Sequence, residues 1–384
     1  MNKQLPQGVQ DYLPEEAAFK RAVLDRLAAT YEGCGYLPVE PPTLEYADTF
    51  LQGGALDDKR FFKLTDFDGS LLVLRPDPTL QLARIAATKL PPTGAARLHY
   101  AVSSFEFPSS GTSLRSREFA QSGVELFGAS GAEADAELIM LAADALNAAG
   151  LTGFEIEIGS IAVFHGISEW LCLPPGTSEE FRRYVACKDM VGMQTLLQGC
   201  GADAAVIGRI TALTGLFGGR EVLKSARALC DFPAVTAAIA RLDAVLALLE
   251  ACGYGRYVTV DLGMAHGIGY YTGIVFRGIS AEVGASLLDG GRYDNLCAAF
   301  GRAREAIGFS IGIKRLMVAL ERKGVRPASP KEAPVVFISD AASLPLAHKD
   351  AQALRAEGKR AVFADEAGAD GVVRRYQNGR EIRS

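Results

Sequence analysis

The length, composition and charge of this chain exclude several classes of protein. Its 384 residues, 49% of them hydrophobic, are enough for more than one buried core. A net charge of -5 with 40 basic residues gives no global positive field that would attract a polyanion such as a nucleic acid. The first residues lack a signal-peptide pattern and no apolar run is long enough to cross a bilayer, so we expect a cytoplasmic protein with no membrane partner.

The seven cysteines are scattered along the chain, with an odd total and no CxxC pair. A structural zinc site or a disulfide framework requires closely spaced or paired cysteines. We therefore expect neither of them, and no bound metal.

The first half of the chain predicts an antiparallel sheet flanked by helices. Pro14 favours a helix start, and apolar residues follow at helical spacing up to Tyr31. Three prolines at positions 38, 41 and 42 exclude a helix there and favour an extended segment or an edge strand. The other predicted elements are strands at 71–74, 98–107, 118–127 and 154–159, and helices at 79–90 and 131–149.

The second half predicts a helical insertion and a small terminal segment. Alanine- and leucine-rich stretches predict helices across residues 168–252. Together these patterns predict an α+β fold, with a main domain at residues 1–325 and a strand–helix–strand segment at 334–384. The remaining predicted features are strands at Tyr257 and 273–276, a helix at 311–322, and a linker at 325–334.

The stretch EFAQSGVELFG is the most informative one for function. Strand alternation places Gln121, Gly123 and Glu125 on one face, between Phe119 and Phe127. A buried acid and amide are costly without partners, and the missing side chain at Gly123 leaves room for a small polar ligand. The alternative is that this face simply meets solvent.

The run LRPDPT places Asp77 and Thr79 in a strand-to-helix turn. An acid and a hydroxyl at this position can accept hydrogen bonds from an ammonium group. Either residue is equally well explained as a helix cap.

Two glycine-rich runs, GMAHGIGYYTGIVF and LLDGGRYDNL, permit close backbone approach. Tyr270, Tyr271 and Tyr293 offer aromatic walls with polar tips. Glycines and tyrosines also mark ordinary hairpins, and His266 in the first run is interpreted on local grounds as a structural residue.

Taken in order, these segments resemble the class II aminoacyl-tRNA synthetase core, and specifically histidyl-tRNA synthetase. The resemblance covers about residues 5 to 325, and its combination of motifs is far more specific than any single one. GVQDYLPEE is similar to the N-terminal signature of that family, and GYLPVEPPTLE is similar to motif 1, which builds the dimer interface. The other matching segments are LRPDPT, FAQSGVELFG, GIGYYTGIVF, DGGRYDNL and, for motif 3, IGFSIGIKRL.

The resemblance implies a site for L-histidine. Asp77, Thr79 and Gln121 would hold the α-amino group, and Glu125 and Tyr271 would bond the imidazole nitrogens, with Tyr270 beside them. A site that bonds both ends of the ligand rejects analogues that lack either end.

Departures from the family pattern predict that catalysis is lost and that the chain has no catalytic residues. The motif 2 arginine is matched to Ser104, and a second arginine is replaced by His266. Arg315 of motif 3 remains, with Lys314 where glutamate is usual. Adenylate formation needs cations at the ATP phosphates. Because a charged hydrogen bond contributes about 1.5 to 3 kcal/mol, we expect a degenerate ATP site and no aminoacylation.

The C-terminus departs from the family as well. Synthetases carry an anticodon-binding domain of about 100 residues, whereas about 50 residues follow the linker here. We interpret the polar end, RRYQNGREIRS, as a solvated tail and expect no tRNA binding. The alternative is a compact but functional variant of that domain.

A histidine site without ATP chemistry matches the regulatory subunits of short-form ATP phosphoribosyltransferases. We therefore expect feedback control of histidine biosynthesis by L-histidine, with no cofactor. The expected assembly is a homodimer through motif 1, joined with short catalytic subunits in a hetero-octamer. The alternatives are an active histidyl-tRNA synthetase or a paralogue that activates an amino acid for another acceptor.

Overall fold

A computed structural model describes residues 3–51, 58–107, 116–265, 269–325, 334–364 and 372–382. The chain divides into two compact units, Met1–Arg326 and Pro327–Ser384. His266 and most of the predicted linker lie outside the described residues. None of the described helices combines the length and the apolarity needed to span a membrane.

The first unit contains eleven labelled α-helices among its described residues, with short 3-10 helices at Asp58–Arg60, Gly255–Tyr257 and Cys297–Phe300. The helices are α1 Pro14–Gly33, α2 Ala47–Leu51, α3 Pro78–Thr88, α4 Ala132–Ala149, α5 Ile161–Trp170, α6 Pro175–Ala186, α7 Met190–Gly199, α8 Ala204–Thr214, α9 Val222–Leu229, α10 Pro233–Ala251 and α11 Ile313–Arg322. Its strands are β1 Leu37–Pro38, β2 Leu44–Tyr46, β3 Lys63–Thr65, β4 Leu71–Leu74, β5 Ala96–Phe105, β6 Glu118–Phe127, β7 Phe154–Ser160, β8 Phe217–Gly218, β9 Val258–Asp261, β10 Ile274–Ser280, β11 Val283–Arg292 and β12 Ala306–Gly312.

A nine-stranded sheet is the centre of this unit, in the order β1-β5-β6-β12-β11-β10-β7-β9-β8. Its neighbouring strands are antiparallel except for the pairs β1–β5 and β7–β9, which are parallel. A smaller antiparallel sheet has the order β2-β4-β3. The predicted antiparallel sheet flanked by helices is therefore confirmed.

Helix α1 shows how the sequence pattern becomes packing. Phe19, Val23, Leu27 and Tyr31 recur at helical spacing, and all four are buried. The helix runs to Gly33, and Gly35 follows with a φ of +82°, a conformation that glycine adopts without strain. The stripe packs into the same core as α4 and the middle of the large sheet.

Motif 3 differs from the sequence prediction at its start. The apolar helix was expected from position 311, but Ile311 belongs to β12 and the helix begins at Ile313. Strand β12 lies between β6 and β11, so Ile311 pairs with Ser122 on one side and Leu288 on the other. These ladder hydrogen bonds extend the strand at the expense of the first helical turn.

The helical region begins at Ile161 and runs to Ala251, interrupted by the short strand β8, which pairs with β9. It is attached to the large sheet by a buried carboxylate. Asp135 on α4 is fully buried, and its two oxygens accept hydrogen bonds from Arg241 on α10 and Arg292 on β11, each at 2.7 Å. One acid therefore joins three separate parts of the unit.

The second unit contains α12 Leu344–Ala356 and the strands β13 Val335–Ser339, β14 Ala361–Phe363, β15 Val372–Gln377 and β16 Arg380–Ile382, in the sheet order β14-β13-β15-β16. The polar end that was interpreted as a solvated tail is folded, because it supplies most of β15 and all of β16, although the residues of β16 are exposed. Tyr376 on β15 is buried against Phe337, and its hydroxyl donates to Asp350 at 2.7 Å. Burial of this aromatic ring stabilises the folded segment.

Candidate ligand site

Strand β6, the third strand in the order of the large sheet, carries a buried acid. Glu125 has an exposed fraction of only 1%, so the alternative that this strand face meets solvent is wrong at that position. The neighbouring strands β5 and β12 both pair with β6 over residues 121–127. A carboxylate in such a place must be hydrogen-bonded or neutral.

Two hydroxyl groups hold the Glu125 carboxylate. Thr79 Oγ1 donates to Oε1 at 3.0 Å, and the hydroxyl of Tyr293 donates to Oε2. Burial raises the pKa of Glu125 to about 8, while the hydrogen bonds from Tyr293 and Thr79 act in the opposite direction. The group therefore keeps a proton well above the pH at which an exposed glutamate loses it.

Asp77 forms the N-cap of α3, because its Oδ1 accepts the backbone N–H of Thr79 at 2.7 Å. The helix-cap interpretation that the sequence left open is therefore correct for this residue. Burial also raises the pKa of Asp77 to about 6. Asp77 is close enough to Glu125 to raise the pKa of the latter further, so two acids face the same small region.

Tyrosine rings enclose these acids. Tyr270 lies between Tyr271 and Tyr293, with ring centroids 5.1 and 5.5 Å away. Burial raises the pKa of Tyr270 and of Tyr271 well above the ordinary value, and the charge of Asp77 acts in the same direction on both. The described part of the chain thus brings together Asp77, Thr79, Glu125, Tyr270 and Tyr271.

Sequence reasoning missed Tyr100. This residue lies on β5 directly opposite Gly123, and its buried hydroxyl has no hydrogen-bond partner among the described residues. A Cβ atom on Gly123 would lie 2.7 Å from that hydroxyl oxygen. Both strands were predicted, but the register that places Tyr100 opposite Gly123 is set by the sheet as a whole, so no local pattern in the sequence could have identified this residue.

A second missed residue is Gly308 on β12, which pairs with Glu125. A Cβ atom at Gly308 would overlap the Glu125 carboxylate and lie 2.6 Å from its Cδ and from the carbonyl oxygen of Val124. Glycine is therefore required there for the buried acid to fit between the strands.

Gln121 and Ser104 form the other end of the site. Ser104 on β5 is fully buried, and its hydroxyl oxygen is 3.1 Å from Oε1 of Gln121. Gln121 lies on the same strand face as Glu125, separated from it by Gly123. The position matched to the motif 2 arginine therefore carries a neutral hydroxyl that bonds an amide.

The two motif 3 cations, Lys314 and Arg315, form hydrogen bonds with described residues other than Glu125 and Gln121. Arg315 donates to the carbonyl oxygen of Ser286 on β11 at 2.5 Å, and its side chain passes over Gly312, the strand partner of Gln121. Lys314 Nζ is 3.3 Å from the hydroxyl of Ser116. These contacts place Arg315 one strand away from Gln121.

Arg75 lies two residues before Asp77 and is buried. Its guanidinium donates to the carbonyl oxygens of Pro41 and Ser103 at 2.6 and 2.7 Å. A further bond reaches the carbonyl oxygen of Pro42 at 3.3 Å. This cation therefore fastens the proline-rich segment to β5.

The chemistry of the site follows from these groups. The buried Glu125, the partly buried Asp77 and several hydroxyl oxygens are hydrogen-bond acceptors, and the tyrosine and amide groups add donors. Such a site suits a small ligand with a cationic or N–H end.

Comparisons with known proteins identify the family of this chain. A sequence profile of the histidyl-tRNA synthetase family matches residues 8–316. The ATP phosphoribosyltransferase regulatory subunit of Moorella thermoacetica is 38% identical over 367 residues, covering 94% of this chain and 92% of that protein. The regulatory subunit of Acetivibrio thermocellus is 36% identical over 328 residues, covering 85% of this chain and 78% of that protein.

Solved structures show the same fold. The crystal structure of an ATP phosphoribosyltransferase regulatory subunit/histidyl-tRNA synthetase from Bacillus halodurans matches with a TM-score of 0.84 at 31% identity, over 98% of this chain and 97% of the other. Histidyl-tRNA synthetase from a Nostoc species matches with a TM-score of 0.77 at 22% identity, over 95% and 86% of the two chains, which concerns the fold alone. The α+β class II synthetase-like fold is confirmed. The chain therefore belongs to the histidyl-tRNA synthetase family, and its relatives there include proteins named as ATP phosphoribosyltransferase regulatory subunits.

Proposed function

We propose that this protein is a non-catalytic regulatory subunit of ATP phosphoribosyltransferase that binds L-histidine and confers feedback control on the first step of histidine biosynthesis. The observation that carries the proposal is the enclosed site around Glu125, with a neutral hydroxyl at Ser104 in place of a cation. Relatives at 36% to 38% identity with the regulatory-subunit name support the same role.

The chemistry of the site fits free histidine. The ammonium group of the ligand needs acceptors, which Asp77, Thr79 and Gln121 supply. The imidazole ring needs an acceptor and a donor for its two nitrogens, which Glu125 and Tyr271 supply. Tyr270 packs against Tyr271 and closes the aromatic side of the site. Neither a metal nor a cofactor is needed for such binding.

The same arrangement argues against histidine activation. Adenylate formation places a large negative charge on the α-phosphate in the transition state, and that charge needs positioned cations. Ser104 is neutral and Arg315 bonds the backbone of Ser286. An active histidyl-tRNA synthetase, or an amino-acid-activating paralogue, is the second candidate, because Arg315 is retained.

The proposed assembly contains two kinds of subunit. Two copies of this chain would meet through the proline-rich segment 36–46, and the dimers would join short-form catalytic subunits in a hetero-octamer. Histidine would then favour an inhibited state of the assembly, which requires different histidine affinities in the two states. We expect no role for tRNA and a cytoplasmic location.

The first test is reconstitution. A short-form catalytic subunit is assayed for phosphoribosyl-ATP formation alone, with this chain, and with this chain plus L-histidine. We expect inhibition by histidine to require this chain. Equal activity and equal inhibition with and without the chain would contradict the proposal.

The second test separates the two candidates. The purified chain is incubated with ATP, L-histidine and labelled pyrophosphate, and the label that enters ATP is measured. An active synthetase exchanges pyrophosphate in a histidine-dependent manner, whereas a regulatory subunit leaves the label in pyrophosphate. Exchange above the level without histidine would favour the second candidate.

A further inference from the structure

Ser104 and Gln121 form a pair that neither the motif comparison nor the proposed function explains. On the β5–β6 ladder Val102 is directly opposite Gln121, so Ser104 is its diagonal neighbour on the same face. Ser104 is fully buried, and its hydroxyl is 3.1 Å from Oε1 of the amide. This separation is within the range of a real hydrogen bond.

An amide side chain needs such a partner to act as a specific ligand contact. The Gln121 amide ends in a carbonyl oxygen and an NH2 group. Half a turn about the last side-chain bond exchanges their positions, so that two donors replace an acceptor. The Ser104 hydroxyl donates to the carbonyl oxygen, which leaves that oxygen one further lone pair and fixes the direction of the NH2 group. A contact whose side chain is already held costs less to form when a ligand binds.

We infer that Ser104 is a positioning residue, which holds the Gln121 amide in the orientation that recognises the amino-acid end of the ligand. The inference rests on the proposed histidine site and adds to it the residue that sets this part of its specificity. Among the residues that the structure describes, the Ser104 hydroxyl bonds the Gln121 side chain and no other, so we expect its effect to be confined to one end of the ligand.

The experiment compares Ser104→Ala with a matched control in the full chain. Ser103→Ala makes the same chemical change at the preceding position, where strand alternation directs the side chain to the opposite face. Calorimetry measures the affinity for two probes, L-histidine and 4-methylimidazole, and the second probe lacks the amino-acid end. For Ser104→Ala we expect histidine affinity to fall by roughly 3- to 10-fold, the usual effect of one neutral hydrogen bond, with unchanged affinity for 4-methylimidazole.

A double-mutant cycle adds a measurement that a merely structural role would not change. In a Gln121→Ala background, Ser104→Ala should have no further effect on histidine affinity, because the group that it positions is gone. Additive losses, or equal weakening of both probes, would show that Ser104 only supports the fold. Ser103→Ala should behave as the unaltered chain does in every assay.

The failures of the two proposals can be distinguished. Unchanged histidine affinity in Ser104→Ala overturns the inference and leaves the proposed function in place. No histidine binding by the unaltered chain or by its assembly with the catalytic subunit overturns the proposed function, and the inference with it.

Discussion

The hydroxyl oxygen of Thr79 lies 3.0 Å from a carboxylate oxygen of Glu125, although 46 positions separate the two residues in the chain. This bond joins the first turn of α3 to the second half of β6. Tyr293 holds the other oxygen of the same carboxylate. The acid is therefore fixed in position by the fold, before a ligand binds.

Replacing Glu125 by alanine should remove the acceptor for the ligand's ring. We expect Glu125→Ala to weaken histidine binding by about 10- to 100-fold, the effect of losing a hydrogen bond that involves a charged or polarised group. Calorimetry measures the affinity, and circular dichroism checks the fold. Glu118→Ala, at the exposed start of the same strand, is the control and should bind normally. Unchanged affinity in Glu125→Ala would remove this residue from the site.

Glu125 should also make the stability of the ligand-free protein depend on pH. Its pKa is about 8 in the folded chain against an ordinary value of 4.5, so the folded state binds more protons than the unfolded state between those values. Stability therefore falls as pH rises through this window. Between pH 6 and pH 8 the unaltered chain should lose about 2 to 3 kcal/mol more than Glu125→Gln, which does not titrate.

Urea denaturation of both proteins across that range measures the difference. Asp77 titrates in the unaltered chain and in the variant, and its pKa of about 6 places most of its effect at lower pH. Parallel stability curves for the two proteins would contradict the raised pKa of Glu125.

The glycine opposite Glu125 offers a steric test. Gly308→Ala inserts a Cβ atom where the carboxylate lies, so we expect a loss of about 1 to 3 kcal/mol in the free energy of unfolding together with loss of histidine binding. Gly284→Ala is the control, because nothing lies within 4 Å of its added atom. Denaturation and calorimetry on both variants make the comparison. Equal behaviour of the two would mean that β12 moves aside without cost.

The buried carboxylate of Asp135 should be far more important for stability than an exposed one. Asp135→Ala deprives the buried Arg292 of one of its two acidic partners, the other being Asp294 at 3.0 Å, so we expect a loss of about 3 kcal/mol in the free energy of unfolding. Asp243 also bonds two arginines, Arg220 and Arg227, but it is partly exposed. Asp243→Ala should therefore cost about 1 kcal/mol or less. Denaturant midpoints distinguish the two values, and similar losses would contradict the argument from burial.

The fold could be predicted where the residues of a single helix or strand carry its pattern by themselves. The apolar stripe of α1 and the alternation of β6 predicted these elements closely, and β6 has the same ends in sequence and structure. The prediction failed where contacts with other strands determine the structure of a segment. Ile311 is strand because β6 and β11 flank it, and the polar end of the chain is strand because Tyr376 finds a buried position against Phe337.

The candidate site shows the same division. Strand alternation alone placed Gln121 and Glu125 on one face, and the turn chemistry of LRPDPT pointed to Asp77. Tyr100 and Gly308 escaped notice because each acts across a strand pairing that local patterns do not reveal. Register between strands is set by the whole sheet, so contacts across it become visible only in the folded chain.

The guanidinium of Arg75 connects the site to the proline-rich segment 36–46. Arg75 lies two residues before Asp77 and donates hydrogen bonds to the carbonyl oxygens of Pro41 and Pro42. If two copies meet at that segment, a shift of the Asp77 turn on ligand capture would be transmitted to the neighbouring protomer through one side chain. Communication between the two copies would then run through this guanidinium and the proline carbonyl oxygens that it bonds.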